Sequence, residues 1–293
     1  MKTRSMKPTH SPTLSTDTLT DTLGDTDTEQ EEVKARMETL DLRQVLYSVE
    51  YEVVDGLLRG KRGRGRGHPP SFRLPVQLPL TRAFGFFIGA FVAEGFASQT
   101  GKVTISNNDK DYREASAQWL RSVGVPVHEY PDRIVFSSTL LADILRRLCG
   151  FDAYQKSVPP FTKYAPPEFV DGLLDAYLSG DACVSTGYRG VCIRAVSRSL
   201  TLLENVRDLL CSLGMEDPWK QTSLYTRMEH RHGKIWVDAQ GKMHLKKHGP
   251  RAPMYYLRVG AKGTRFLAAR MTLTVKYKQQ LLDDIFLGFG TWE

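Results

Sequence analysis

The sequence has few cysteines and no long hydrophobic run, and both absences exclude classes of protein. Its four cysteines are scattered through 293 residues without a CxxC pair. We therefore expect neither a disulfide framework nor a zinc ribbon, and an intracellular setting whose compartment stays open. The longest apolar run, Phe84–Ala93, has ten residues, whereas a membrane-spanning helix needs about 20. The first residues contain no apolar segment typical of a secretory signal, so neither a secreted nor a membrane protein is expected.

Acidic residues are concentrated at the beginning of the chain, and the remainder is basic. Residues 1–58 hold twelve acidic and six basic side chains, a net charge of −6. Since the whole chain carries +7, residues 59–293 carry +13. A region this basic is expected to bind a polyanion, and nucleic acid is the commonest one.

The chain before about residue 72 has the composition of a tail and a linker. Residues 1–32 are rich in Thr, Ser, Asp and Glu and have few large apolar side chains, so we expect disorder. Spaced apolar residues in Val33–Leu58 predict a short amphipathic helix. Gly alternates with Arg and Lys in Arg59–Pro70, which suits phosphate contacts, a solvated linker or a nuclear-import signal. Alternating apolar residues and two prolines in Phe72–Leu80 predict an edge strand or an extended lead-in.

An internal repeat organises the rest of the sequence. An apolar helix, a strand and an amphipathic helix follow one another over residues 87–125, and again over residues 174–215. In each copy a glycine, Gly124 or Gly214, stands where the C-cap of the second helix belongs. Each copy continues into another strand and another amphipathic helix. The chain is therefore expected to consist of two α/β halves of the same order, the second lengthened by a basic insertion at 219–251.

The first helix of each copy is apolar on nearly every face, so both helices must be buried. Small residues lie four positions apart in each helix, Gly89 and Ala93 in the first and Ala176 and Gly180 in the second. Small residues on one face allow two helix backbones to approach closely. We therefore expect the two helices to pack against each other.

Each apolar helix ends in an acid followed by a small residue, Glu94–Gly95 and Asp181–Ala182. If the helices pair about a pseudo-twofold axis, the two carboxylates lie side by side, which is costly unless cations neutralise them. Two carboxylates that share divalent ions are suited to the hydrolysis of a phosphodiester. Ordinary solvated acids are the competing interpretation, but the helix dipole disfavours an acid at a C-terminus.

The segments FIGAFVAEG (Phe87–Gly95) and LDAYLSGDA (Leu174–Ala182) resemble the two LAGLIDADG helices of a monomeric homing endonuclease. They are most similar to the endonuclease domains found inside inteins. The resemblance spans about residues 75–282 and implies that Glu94 and Asp181 are the catalytic acids. The family's usual terminal glycine is replaced in the second motif by Ala182.

The resemblance also implies one lysine in each half. The segment QKSVPPF nominates Lys156, and KYKQQLL nominates Lys278, with Lys276 as the alternative. A solvated surface lysine is the competing interpretation of each. In such an enzyme Glu94 and Asp181 bind two or three Mg²⁺ ions, for which Mn²⁺ can substitute. The lysines polarise the water network or stabilise the pentavalent phosphorus.

The fold implied by the resemblance is α+β, a pseudo-twofold duplicated αββαββα LAGLIDADG fold with two saddle-shaped antiparallel sheets. Residues 1–45 are then an acidic disordered tail with the start of a short helix, and 46–75 a basic Gly/Arg arm or linker. Residues 76–165 form the first LAGLIDADG half and 166–293 the second, with the insertion. A monomer is expected, with double-stranded DNA lying across the sheets.

Basic residues of the arm, the strands and the insertion are the candidate DNA contacts. They are Lys61, Arg62, Arg64, Arg66, Lys102, Arg189, Arg194, Lys220, Arg227, Arg231, Lys234, Lys246 and Lys247. The insertion is expected to form a basic, twisted hairpin that grips the DNA backbone, in which Tyr225 and Trp236 contact DNA or pack the hairpin. A zinc site at His244 and His248 is disfavoured because no cysteine lies nearby.

The sequence therefore predicts a site-specific double-strand DNA endonuclease of the homing type, a metal-dependent phosphodiester hydrolase. The alternative is a catalytically inactive nucleic-acid-binding relative, such as an RNA maturase or a DNA-binding regulator. The presence of both acids and both lysines favours the enzyme, because a pure binder gains nothing from crowded carboxylates. Protein splicing is not expected, since the chain starts at Met1 and ends GFGTWE, whereas an intein needs Cys or Ser first and His-Asn last.

Overall fold

The computed structural model describes residues 37–49, 51–61, 73–186, 191–229, 235–237, 242–245 and 252–287. The helices of this part are α1 (Arg82–Glu94), α2 (Lys110–Ser122), α3 (Thr139–Cys149), α4 (Pro167–Asp181), α5 (Leu200–Ser212), α6 (Pro218–Gln221), α7 (Ala261–Arg270) and α8 (Lys276–Phe286). Its strands are β1 (Thr39–Asp41), β2 (Tyr51–Val54), β3 (Leu57–Gly60), β4 (Arg73–Pro75), β5 (Gln77–Pro79), β6 (Gly95–Ala97), β7 (Lys102–Ser106), β8 (His128–Tyr130), β9 (Arg133–Ser137), β10 (Ala182–Ser185), β11 (Cys192–Ser197), β12 (Thr222–Glu229), β13 (Ile235–Val237), β14 (Met243–Leu245) and β15 (Ala252–Val259). The α+β class expected from the sequence is confirmed.

Helices α1 and α4 are the two apolar helices of the sequence, and both form where they were expected. The hydroxyl of Thr81 caps α1 by accepting a hydrogen bond from the backbone N–H of Phe84 at 3.3 Å. Pro167 is the first residue of α4, a position that suits its fixed φ angle and missing N–H. Most side chains of both helices are buried. The pair therefore lies in the core of the described domain.

Glycines bring the backbones of α1 and α4 into direct contact. A Cβ atom on Gly89 would lie 2.2 Å from the carbonyl oxygen of Leu173 and 3.0 Å from the Cβ of Ala176. A Cβ atom on Gly85 would lie 2.0 Å from the carbonyl oxygen of Phe169. Because neither backbone can move away inside a close-packed core, only glycine fits here. The close approach expected from the small residues is confirmed.

Two four-stranded antiparallel sheets pack on these helices, and their strand orders correspond. The first sheet has the order β6-β7-β9-β8 and the second has the order β10-β11-β15-β12, so each sheet starts with the strand that follows a central helix. One face of each sheet is buried, through Val103 and Ile105 in the first and Ile193 and Ala195 in the second. We call the opposite face of each sheet its open face. The duplicated order of the two halves is confirmed.

Helices α2 and α5 end in the same way, as the repeat predicts. Gly124 and Gly214 have φ angles of 77° and 92°, which glycine adopts without the strain that other residues incur. At the first of these ends the N–H of Val125 bonds to the carbonyl oxygen of Leu120 at 2.8 Å. The predicted C-cap glycines are confirmed.

Residues 37–61, predicted to belong to a short helix and a basic arm or linker, contain three short strands instead. Asp55 and Gly56 have φ angles of 52° and 74°, and they make the tight turn between β2 and β3, a turn for which Asp-Gly is favoured. Strand β3 pairs with β4, and β1 pairs with β5. The edge strand or lead-in expected at Phe72–Leu80 is confirmed within Arg73–Pro79.

The helix predicted over Val33–Leu58 is wrong in the part of it that the structure describes, apart from one 3-10 turn at Leu42–Gln44. Its leucines do not share one helix face: Leu42 and Leu58 are fully buried although they belong to different elements. The packed structure therefore begins well before residue 72. At its start the backbone N–H of Met37 bonds to the carbonyl oxygen of Tyr164 at 2.8 Å.

The described strands of the basic insertion pair antiparallel, as the predicted hairpin requires, and one partner, β15, lies beyond the predicted end of the insertion at residue 251. Strands β12 and β15 pair antiparallel over eight residues each, and β13 pairs with β14. Trp236 lies in β13, but its side chain is outside the described part, as are the side chain of His244 and all of His248. In the described residues, no helix is long and apolar enough to cross a membrane.

Candidate nuclease site

The two predicted acids lie at the adjoining ends of α1 and α4. Glu94 is the last residue of α1 and Asp181 is the last residue of α4. A Cβ atom on Gly180 would lie 2.9 Å from the Cβ of Ala93 and 3.4 Å from the Cγ of Glu94. The helix ends are therefore in contact, and the structure brings together the two acids that the sequence analysis placed side by side.

The charges of these carboxylates are poorly stabilised by solvent. Burial, with a smaller effect from the charge of Glu94, raises the pKa of Asp181 to about 8. Burial also raises the pKa of Glu94, while the positive charges of Lys278 and Lys156 oppose that rise. Because both carboxyl groups tend toward the protonated form, additional cations are needed to hold both negative charges at neutral pH.

Lys156 reaches the C-terminal end of α1 from the loop that follows α3. Its Nζ donates to the carbonyl oxygen of Phe91 and, at 2.9 Å, to that of Gly95, at an end where helices leave acceptors unpaired. Burial lowers the pKa of Lys156 to about 8. Its main chain is held by the other half, because the hydroxyl of Ser199 donates to the carbonyl oxygen of Lys156 at 2.6 Å. The same hydroxyl caps α5 by accepting from the N–H of Leu202.

Lys278 occupies the corresponding position at the end of α4, and it reaches it from the first turn of α8. Its Nζ lies 3.2, 2.5 and 3.2 Å from the carbonyl oxygens of residues 178, 179 and 180. Burial lowers the pKa of Lys278. Lys276 is exposed instead, and it forms an ion pair with Asp111 at 2.7 Å. Of the two lysines left open by the sequence, the structure therefore places Lys278 at the site.

Asp175 fixes the loop that leads to α8, and the sequence analysis missed it. Its buried carboxylate accepts from the N–H and hydroxyl of Thr274 at 2.8 and 3.0 Å. It also accepts from the hydroxyl of Ser179 at 3.1 Å and the guanidinium of Arg82 at 2.9 Å. Burial raises the pKa of Asp175, and the bonds from Thr274 oppose that rise. An acid inside an otherwise apolar, buried helix was the available signal, because such a group requires partners.

Two cavities open beside the acid pair, and their linings differ. One, of about 480 Å³, holds Glu94 and Lys278 among polar side chains such as Asn107. The other, of about 370 Å³, holds Asp181 and Lys156 among mainly apolar side chains. Each cavity therefore combines the acid of one half with the lysine of the other half.

Three of the predicted DNA contacts lie on the open faces of the sheets. They are Lys102 on β7, Arg194 on β11 and Arg227 on β12, and all three are exposed. The guanidinium carbon of Arg227 lies 5.4 Å from the ring centres of Tyr225 and Tyr256, which stack on each other. The tyrosine of the insertion therefore packs against a neighbouring strand of the hairpin and also supports an arginine.

Two other predicted contacts lie elsewhere. Lys61 follows β3 and donates to the carbonyl oxygen of Ser48 at 3.1 Å, and Lys220 lies in α6, paired with Asp217 at 3.1 Å. The remaining predicted contacts are outside the described residues: Arg62, Arg64, Arg66, Arg189, Arg231, Lys234, Lys246 and Lys247. Arg133 and Arg258 also lie on the open faces, although the sequence did not predict them as DNA contacts. The alternation of buried and exposed side chains along their strands was the available signal.

The donor set at the helix ends suits hard divalent cations. Glu94 and Asp181 offer carboxylate oxygens, and Mg²⁺ is commonly bound by one or two carboxylates together with substrate phosphates and water. In the part of the chain that the structure describes, no group of three or more His, Cys, Asp or Glu residues is arranged to hold a metal ion. The two carboxylates can therefore provide part of the coordination sphere of a divalent cation.

Comparison with known proteins gives distant similarities. No family model matches the chain. Over 146 residues, 47% of this chain, it is 31% identical to the DNA-directed RNA polymerase subunit Rpo1C of Methanocaldococcus jannaschii, and it spans only 16% of that protein.

Two solved structures match part of the chain at low identity. The homing endonuclease I-DmoI in complex with DNA and Ca matches with a TM-score of 0.39 and 9% identity, over 65% of this chain and 88% of that chain. The N-terminal LAGLIDADG domain of DUF199/WhiA matches with a TM-score of 0.35 and 8% identity, over 74% of this chain and 84% of that chain.

The architecture of the chain itself agrees with the motifs that its sequence carries. Two halves of corresponding strand order are joined by a pair of buried helices in backbone contact. Each of these helices ends in an acid beside a buried lysine. The protein has a LAGLIDADG-type fold.

Proposed function

We propose that this protein is a site-specific endonuclease that hydrolyses phosphodiesters in both strands of double-stranded DNA with divalent metal ions. The observation that carries the proposal is the position of Glu94 and Asp181 at the adjoining ends of α1 and α4. Two acids at helix C-termini oppose both helix dipoles and each other. A fold does not gain stability from this arrangement, whereas a phosphodiesterase requires it to hold cations.

Glu94 and Asp181 would hold Mg²⁺, or Mn²⁺ in its place, together with oxygens of the DNA. Bound there, divalent ions supply a nucleophilic water and charge stabilisation for the leaving oxygen. The protein's own contribution is to keep the two acids adjacent. The glycine contacts between the helices achieve this, because they leave the two helix ends no freedom to separate.

The two lysines complete the proposed site. Lys156 and Lys278 hold the last carbonyl groups of the helices and present positive charge beside the acids. Because the pKa of Lys156 is about 8, this ammonium group can release and regain a proton near neutral pH, which suits proton transfer at a phosphodiester. Positive charge in a water-poor site also stabilises the extra negative charge of the pentavalent phosphorus.

The open faces of the two sheets supply the surface on which DNA would lie. Lys102, Arg194 and Arg227 are exposed there, so they can contact phosphates or base edges. Arg133 and Arg258 add to the same faces. Binding of a duplex by this surface would be strongly salt-dependent, because each neutralised phosphate releases counterions.

The test compares cleavage by the wild-type protein with cleavage by Asp181→Asn. Wild type with Mg²⁺ should linearise a plasmid that carries the DNA flanking its own gene with that gene removed, and EDTA should stop the reaction. Asp181→Asn should bind the same DNA in a gel-shift assay and leave it intact. Asp208→Asn is the matched control, because Asp208 is exposed on α5 and should leave cleavage unchanged. Equal cutting by Asp181→Asn would refute the metal assignment.

A second candidate is a nucleic-acid-binding protein without nuclease activity, such as an RNA maturase or a regulator. The observation that favours it is the pair of exposed aromatic residues on the open face of the first sheet, Phe96 and Tyr130, exposed by 60% and 46%. Aromatic residues on a sheet face often stack unpaired bases of RNA. Wild-type protein that binds nucleic acid with measurable specificity but never cuts it would decide for this candidate.

A further inference from the structure

The cavity that holds Asp181 and Lys156 has apolar walls contributed by both halves. Phe96 comes from β6 and Phe151 from the loop after α3, while Val196 comes from β11 and Met254 from β15. Its volume of about 370 Å³ is at the lower end of the range for cavities that bind small ligands, which begins at about 300 Å³. A recess of this kind beside a proposed phosphodiester site requires an explanation.

The aromatic walls are exposed although the fold does not require them to be. Phe96 and Phe151 are each 60% exposed, and exposed phenylalanine on a basic nucleic-acid surface costs hydration free energy. The equivalent position two residues after the other acid is Cys183, so the duplicated fold is built without an aromatic residue there. The cavity beside Glu94 is lined by polar side chains such as Ser106 and Asn107, with Tyr277 as its aromatic residue.

We propose that the apolar cavity receives a single unstacked nucleobase of the DNA substrate. The inference rests on the proposed function and adds that the duplex is opened locally beside Asp181. The faces of Phe96 and Phe151 offer the stacking surface that a base loses when it leaves the helix. Lys156 and Arg198 line the same cavity, and they place positive charge where the phosphates of the extruded nucleotide would lie.

The apolar walls determine what kind of base recognition is possible. Stacking on an aromatic face is available to every base, whereas hydrogen-bond readout needs fixed donors and acceptors. The side chains that form these walls, Phe96, Phe151, Val196 and Met254, provide no strong donors or acceptors. The cavity therefore accepts a base with little preference for its identity, and it favours DNA in which a base is already unpaired, because less stacking and pairing must be broken.

The experiment measures binding of a DNA duplex that carries one bulged 2-aminopurine nucleotide, against the same duplex fully paired. Without divalent metal, fluorescence anisotropy should show that wild type binds the bulged duplex at least about fivefold more tightly. Phe96→Ala and Phe151→Ala should each reduce this preference to below twofold. Phe96→Trp, which keeps a stacking surface, should restore it. Tyr164→Ala is the control, because Tyr164 is an exposed aromatic residue outside both sheets and outside the cavity, and it should keep the full preference.

Each result supports or overturns the inference. Equal affinity for both duplexes, or a preference that survives in Phe96→Ala and Phe151→Ala, would overturn it. Tighter binding of single-stranded RNA than of the bulged duplex would overturn it in favour of an RNA ligand. Since both phenylalanines are exposed, their variants should melt within about 2 °C of wild type, which controls for misfolding. The proposed nuclease fails separately, if wild type shows the bulge preference but never cuts.

Discussion

The two halves of the protein are nearly the same where helices touch each other and different where DNA would touch them. Gly89 and Gly172 lie one on each central helix. A Cβ atom added to either glycine would lie 2.2 Å from a carbonyl oxygen of the partner helix. On the open faces, by contrast, β8 has three residues where β12 has eight. Phe96 also stands where the second half has Cys183. Backbone-to-backbone packing permits one solution, whereas an open surface is free to diverge.

The largest expected effect is a loss of folding stability when the contact between α1 and α4 is disrupted. Gly89→Ala and Gly172→Ala should each lower the free energy of unfolding by about 3 kcal/mol or more, because the new methyl group overlaps backbone that cannot move. A Cβ atom added at Gly214 would meet open space, so Gly214→Ala tests only the cost of a left-handed φ angle. This variant should lose about 1 kcal/mol of unfolding free energy. Urea unfolding measures all three. Equal losses in the three variants would contradict direct helix contact.

The next largest effect is expected on the cleavage rate, from substitution of the two lysines. They occupy matching places, but Lys156 comes from a loop and Lys278 from a helix. Lys156→Met and Lys278→Met should each slow cleavage by about 100-fold or more, with little change in DNA affinity, because each removes buried charge beside an acid. Lys276→Met is the matched control, since Lys276 is exposed and paired with Asp111. Cleavage rates on a supercoiled plasmid give both nicking and linearisation. A variant that stops at nicked circles would show that the two cavities serve different strands.

A smaller effect is expected on the pH dependence of folding stability, measured without metal for variants of the two acids. Because the folded-state pKa of Asp181 is raised to about 8, the folded protein binds this proton more tightly than the unfolded chain. Its contribution therefore makes stability fall as pH rises from about 4 to about 8. In EDTA, Asp181→Asn should gain stability over wild type between pH 5 and pH 8 by on the order of 1 kcal/mol, since partial solvent access screens the charge.

Glu94→Gln provides the comparison for that measurement. Burial raises the pKa of Glu94 as well, but opposing charges from both lysines limit the rise. Its gain in stability over the same pH range should therefore be smaller than that of Asp181→Asn. Thermal unfolding at several pH values distinguishes the two variants. A gain for Asp181→Asn that does not depend on pH would show that titration of this acid is not its source.

The smallest effect is expected on DNA affinity and its salt dependence, when two basic residues of the second half are substituted in turn. Arg194→Ala should weaken binding of a DNA duplex and lower the slope of log K against log salt by about 1, because Arg194 is exposed on an open face. Lys220→Ala should change neither quantity, since Lys220 lies in α6 beside Asp217. Titrations at several salt concentrations measure the slope. A matching loss in Lys220→Ala would extend the DNA surface beyond the sheets.

The sequence predicted the elements that local chemistry determines. The C-terminal ends of α1 and α4 and the helix-ending glycines Gly124 and Gly214 all follow from patterns within a few residues. The adjacency of Glu94 and Asp181 followed from the repeat, because equal halves imply an axis between them.

Long-range partners were not predictable in the same way. Gly85 is an ordinary glycine in the sequence, and nothing local reveals that it faces the carbonyl oxygen of Phe169. The partners of Asp175 lie near residue 274, almost a hundred positions away. The hairpin at Asp55–Gly56 had a local signal in its Asp-Gly pair, which the helix predicted over Val33–Leu58 left out of account.

The hydrogen bond from Ser199 to the carbonyl oxygen of Lys156 has a consequence for recombination between related proteins. Lys156 is encoded with the first half, yet the hydroxyl that anchors it is encoded with the second. A chimera joined just before α4 would inherit the lysine and lose its anchor unless the incoming sequence supplies an equivalent one. Exchange of halves, by design or in evolution, is therefore expected to succeed only when the loop around Lys156 and the N-cap of α5 come from the same parent protein.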